Sequence, residues 1–86
     1  MYQLIWRDSA LDALADIYVA ADPANRAIIS AEVEELNAQL RLNPTTVGES
    51  RSGSDRMTFI HRVAIGFRAS TSLRTVWVTK VKPFGR

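Results

Sequence analysis

His61 is the one histidine of this 86-residue chain, and its ordinary pKa near neutrality suits proton transfer. It stands beside Arg62, where the sequence predicts a strand end or hairpin turn, and a solvated turn histidine is the plainer reading of it. Arg56, Arg62 and Arg68 are residues that grip phosphate, because a guanidinium forms forked hydrogen bonds to phosphate oxygens. Lys80, Lys82 and Arg86 add cations to the final stretch. Together these six side chains are the candidate target-binding set. His61 is the single catalytic candidate.

Other chemistry is poorly provided for. The chain has no cysteine, which excludes disulfides, thiolate metal sites and a cysteine nucleophile. Asp8, Asp12 and Asp16 lie four apart on one helical face and read as a solvated face, so no metal and no cofactor are expected. Serines and threonines lie near His61 without a placed carboxylate, so no triad is suggested. Trp6 and Trp77 could stack on bases, but each lies among aliphatics in a strand, and core packing is expected for both.

Charge is divided unevenly. Residues 1–46 hold three bases against seven acids, a net charge of −4; residues 47–86 hold eight bases against two acids, a net charge of +6. A basic half of this kind points to a polyanionic partner, although solubility alone would also account for it. The length predicts one domain over residues 1–86. No apolar run approaches the roughly 18–20 residues of a membrane span, and the start lacks the basic and apolar segments of a signal peptide. These features predict a cytoplasmic protein without membrane association.

The elements that must position these residues are readable in outline. Residues 2–6 form a short apolar and aromatic strand. Asp8 or Ser9 can cap a helix over roughly 9–20, with Leu11, Leu14 and Tyr18 on one face and Ile17 widening it. Asp22-Pro23 starts a second helix, because aspartate caps free N–H groups and proline tolerates the first helical position. Ile29, Val33, Leu36 and Leu40 make its apolar stripe, and Asn43-Pro44 ends it. Residues 43–55 read as a loop. Strands follow at 56–60, at 63–68 with odd positions large and apolar, and at 75–81, where apolar residues on both parities leave the facing open. The predicted architecture is α+β: an antiparallel helical hairpin on one face of a mainly antiparallel four-stranded sheet, in the order βααβββ. Leu11, Leu14, Ile29, Val33, Leu36, Leu40, Ile65 and Phe67 form the predicted core. Arg62 and Arg68 are expected to project from the open sheet face with Ala64 and Gly66 between them.

In this order of parts the chain resembles the RelE/ParE toxin superfamily. The resemblance rests on Ile5-Trp6 ending strand one, Ala10-Leu11-x-x-Leu14 opening helix one, and Leu40-x-x-Asn43-Pro44 closing helix two. It continues through Gly48, Arg56, Ile65-x-Phe67-Arg68 and the final valine-rich strand with its basic tail. It implies a toxin of a type II toxin–antitoxin system, a class tied to plasmid stabilisation and growth inhibition, with a cognate antitoxin as partner. RelE-like members cut mRNA on the ribosome, and ParE-like members poison DNA gyrase. Nuclease members often carry a late tyrosine or histidine, and here Phe84-Gly85-Arg86 follows the last strand without a late tyrosine. The resemblance therefore implies a ParE-like poison before a nuclease. A third reading is a non-toxic binding module of the same fold. Both a homodimer and a toxin–antitoxin hetero-oligomer are compatible with it.

Overall fold

The computed structural model describes residues 1–85, so Arg86 of the candidate set lies outside the described residues. The elements run β1 (Gln3–Trp6), α1 (Asp8–Ala20), α2 (Pro23–Leu42), a short 3-10 turn (Pro44–Thr46), β2 (Glu49–Ser50), β3 (Asp55–Ile60), β4 (Val63–Ser70) and β5 (Thr75–Pro83). They build one five-stranded sheet in the order β1-β5-β4-β3-β2. β1 runs parallel to β5, and every other pairing is antiparallel. The α+β architecture is the one the sequence predicts, with a fifth strand added. Only Glu49 and Ser50 form β2, opposite Met57 and Arg56, and two residues are too few to show a period within a loop.

Both helices start for local reasons. In α2, the Asp22 carboxylate accepts the Asn25 N–H at 2.8 Å, and Pro23 occupies the first turn. α1 starts differently from the expected Asp8 or Ser9 cap. The Arg7 N–H is bonded to the Val78 carbonyl at 3.0 Å, which ends β1 pairing, and Arg7 itself takes the cap position without a side-chain bond. Asp8 then lies in the first turn, where its charge favours the positive end of the helix dipole.

The core lies between the hairpin and one sheet face. Leu36, Leu40, Val63, Ile65, Phe67, Val76 and Val78 pack there with Ala10. Ile29, Leu36, Leu40, Ile65 and Phe67 are buried as the apolar pattern predicts. Leu11 is not: it is 46% exposed, and Leu14 and Val33 are half-buried. α1 has the predicted period but a different phase, for Ala10 faces the sheet at 1% exposure and Ile17 packs on the core. A methyl side chain allows α1 close to β5 yet hardly registers in an apolar stripe read from sequence.

A bulge settles the facing of β5. Phe67 opposes Val78 and Gly66 opposes Lys80, so Thr79 is the extra residue. Before it, Val76 and Val78 point into the core; after it, Val81 packs on the core while Lys80 and Lys82 share the open face with Gly66 and Ala64. Trp77 falls on the open face, opposite Ile5 and Arg68, and is half-buried, contrary to the expected core position. Trp6 does pack against the core, with its indole N–H donating to Asn37 Oδ1 at 2.9 Å.

Candidate target-binding site

The open face of β3, β4 and β5 carries a cleft of about 410 Å³. Among the described residues its cationic lining is Arg7, Arg51, Arg56, Arg68 and Lys80; its floor includes Gly66, Phe67 and Met57, and its single carboxylate is Asp55. Chain segments distant in sequence supply these cations. Arg7 follows β1, Arg51 follows β2, and Lys80 follows the β5 bulge. Arg7 and Arg51 were absent from the candidate set. No sequence signal beyond their charge marks them, because their nearness to Arg68 depends on strand order.

The arginines that line the cleft differ in state. Arg56 pairs opposite the core residue Phe67, so its side chain lies on the helix side of the sheet, where its Nε donates to the Val47 carbonyl at 2.9 Å and a terminal nitrogen donates to the Gly48 carbonyl at 3.0 Å. It is thus partly committed to holding the loop before β2. Arg68 lies opposite Asp55 in the strand register, and its Nε donates to Asp55 Oδ1 at 2.9 Å. The hydrogen bond from Arg68, assisted by its charge and that of Lys80, holds the Asp55 carboxyl below its usual pKa, and the same bond holds Arg68 above its own. Asp55 is therefore ionised at neutral pH. Arg51 lies 3.9 Å from Glu49.

The remaining candidates lie elsewhere. Lys82 shares the open face but sits opposite Ala64, one pleat beyond the cleft lining. Arg62 does not project from the sheet face as expected. Ile60 pairs with Val63, so His61 and Arg62 form a two-residue turn, and Arg62 adopts a left-handed backbone with φ 59°. There it lines a second cavity with Asp16, Asp22 and Phe84, and its charge helps keep Asp22 ionised after the stronger effect of the Asn25 N–H bond.

His61 stands at the turn the sequence predicts, away from the cationic cleft. Its backbone N–H donates to Glu32 Oε1 at 2.9 Å, and its Nε2 lies 2.6 Å from Asn25 Oδ1. Asn25 gives its amide N–H to Asp22 Oδ2 at 3.1 Å, which leaves Oδ1 for the imidazole and makes Nε2 the donor. The residue fastens the β3–β4 turn to the start of α2.

A third surface has a different character. Between the outer sides of α1 and α2 runs an apolar groove of about 390 Å³, lined by Leu11, Tyr18, Val19, Ile29, Val33 and Glu34 among others. The altered phase of α1 creates it: Leu11 and Tyr18 are turned outward at 46% and 39% exposure, and Val19 at 70%. Among the described residues no helix is long and apolar enough to cross a membrane. No three metal-ligating side chains converge among them.

No protein-family model matches the chain, and no curated protein matches its sequence. Solved structures do match its fold. A chain of the chromosomal ParDE toxin–antitoxin system from P. aeruginosa superposes with a TM-score of 0.74 at 17% identity, covering 99% of this chain and 98% of that one. A chain of the RelBE2 toxin–antitoxin complex from Mycobacterium tuberculosis gives 0.71 at 20% identity, covering 95% and 96%. The isolated E. coli RelE toxin gives 0.68 at 13% identity, covering 100% of this chain and 87% of that one. The chain therefore has the RelE/ParE-like fold over its whole length.

Proposed function

We propose that this protein is the toxin of a type II toxin–antitoxin pair and acts by binding an essential cytoplasmic target, in the manner of ParE-like poisons of DNA gyrase. The observation that carries this reading is a cationic cleft on the open face of a RelE/ParE-like sheet whose one carboxylate among the described residues, Asp55, is bonded to Arg68 and held below its usual pKa, which makes it a poor base. Arginine clamps anions well but gives up protons poorly, since its pKa exceeds about 12. Cleavage of RNA requires a 2′-hydroxyl to be activated and a leaving oxygen to be protonated. His61, the residue best suited to either task, is bonded to Asn25 outside the cleft. The second reading, a RelE-like mRNA endonuclease, is favoured by the two RelE-type neighbours and by the same cationic face.

Induced expression in a bacterium tests the two together, with DNA supercoiling and the 5′ ends of ribosome-associated mRNA followed in parallel. The expected result is growth arrest with altered supercoiling and no new mRNA ends, and the same arrest by His61→Ala. New ends that depend on His61 would establish the nuclease.

The partner in this reading is an antitoxin, as two of the similar structures are described as toxin–antitoxin systems. Two features of this chain would receive it. The apolar groove between α1 and α2 suits an amphipathic helix, which buries its apolar face in such a groove. The basic half suits an acidic segment, which would speed encounter and fix register. Leu11→Glu and Val19→Glu place carboxylates in the groove at exposed positions, so folding should be unaffected. Such variants should still arrest growth but resist neutralisation, with antitoxin affinity lowered on the order of tenfold or more, as for truncated interface anchors. Calorimetric titration against the co-expressed neighbouring gene product checks this, and unchanged affinity places the antitoxin elsewhere.

A further inference from the structure

Among the described residues the open face of the cleft presents the cations Arg7, Arg51, Arg68 and Lys80 and one carboxylate, and that carboxylate is placed in a particular way. Asp55 sits directly across the β3–β4 pairing from Arg68. It accepts from Nε alone, at 2.9 Å, and among the described residues no hydrogen bond is made by either terminal nitrogen of Arg68. A guanidinium held at Nε keeps its two terminal nitrogens together as a free fork, which is the edge that matches two oxygens of a phosphate. Lys80 is across the floor at Gly66, and Gly66 offers no side chain to obstruct approach.

We propose that Asp55 is a positioning residue, aiming the Arg68 fork into the cleft to receive a phosphodiester. The inference rests on the reading of this cleft as the target-binding site, and it names the group recognised there. It also gives Asp55 a role opposite to its charge. A carboxylate in an anion-binding cleft repels the ligand at long range, yet here its loss removes the one contact that fixes the guanidinium. The arrangement separates the two effects because they have opposite signs.

Fluorescence anisotropy with a short labelled single-stranded oligodeoxynucleotide tests the proposal on the intact protein at low and moderate salt. Arg68→Ala should weaken binding about tenfold, the scale of a lost charge-assisted fork. Asp55→Asn should weaken it roughly threefold even though it raises the net charge by one, and Asp55→Glu should restore most of the loss. The slope of affinity against salt should fall by about one phosphate contact for Arg68→Ala. Both Asp55 and Arg68 are about half exposed, so thermal melting should show all variants folded. Tighter binding by Asp55→Asn would mean that Asp55 only screens the cleft, and the proposal is then wrong. It is equally wrong if Arg68→Ala binds like the wild type, if the wild type does not bind the oligonucleotide, or if an oligoglutamate peptide of matched charge binds better. None of these outcomes bears on whether the protein arrests growth, so the proposed function stands or falls separately.

Discussion

Gly48→Ala should unfold this protein more readily than any other single methyl addition. Gly48 has φ +65°, and a Cβ built there would overlap the Met57 carbonyl oxygen and lie 2.8 Å from its carbon and 2.9 Å from Thr58 Cβ. These are atoms of β3 and cannot move aside cheaply. A left-handed backbone alone costs a non-glycine residue roughly 1–2 kcal/mol. Displacing the start of β2 adds to that, for a total of about 3 kcal/mol. In a domain of this size each kcal/mol corresponds to about 4–8 °C, so the melting temperature should fall by more than about 10 °C. Gly53→Ala is the control: φ is +56°, but no atom lies within 4 Å of the added Cβ, so only the backbone cost applies. Similar losses for the two variants in thermal denaturation would show that the contact with Met57 is not the cause. The consequence reaches the cleft, because the Gly48 carbonyl accepts from Arg56 and β2 leads into Arg51.

Arg68→Ala combined with Lys80→Ala should abolish growth arrest while leaving the fold intact. Both side chains line the open-face cleft, and neither belongs to the buried core. Hydrogen bonds to charged partners contribute about 1.5–3 kcal/mol each. If the two losses add, target affinity falls on the order of a hundredfold or more. Lys82→Ala, one pleat away and outside the lining, should have a much smaller effect. Colony counts after induction, at matched protein level and with unchanged circular dichroism, measure the result. Full arrest by the double variant would place the target site on another surface.

The sequence alone determined whatever is fixed within a few residues of chain. The second helix runs over Pro23–Leu42 because Asp22, Pro23 and the Ile29–Leu36–Leu40 stripe act locally, and Asn43-Pro44 stops it locally. β4 is equally legible, since Val63, Ile65 and Phe67 alternate with Ala64, Gly66 and Arg68. His61 was readable as a turn residue, though its bonds to Asn25 and Glu32 across the fold were not.

Tertiary structure decided the rest, and each case involves atoms far apart in the chain. The phase of α1 depends on how closely Ala10 approaches the sheet, so Leu11 became groove instead of core. The facing of β5 depends on a bulge opposite Gly66 and Phe67, which no period in residues 75–83 can reveal. Arg62 left the sheet face because the pairing of Ile60 with Val63 put it in the turn. Arg7 and Arg51 entered the cleft because β1 pairs beside β5 and β2 beside β3. Charge is legible from composition, but a cationic site is a matter of strand order and register, which only the folded sheet supplies.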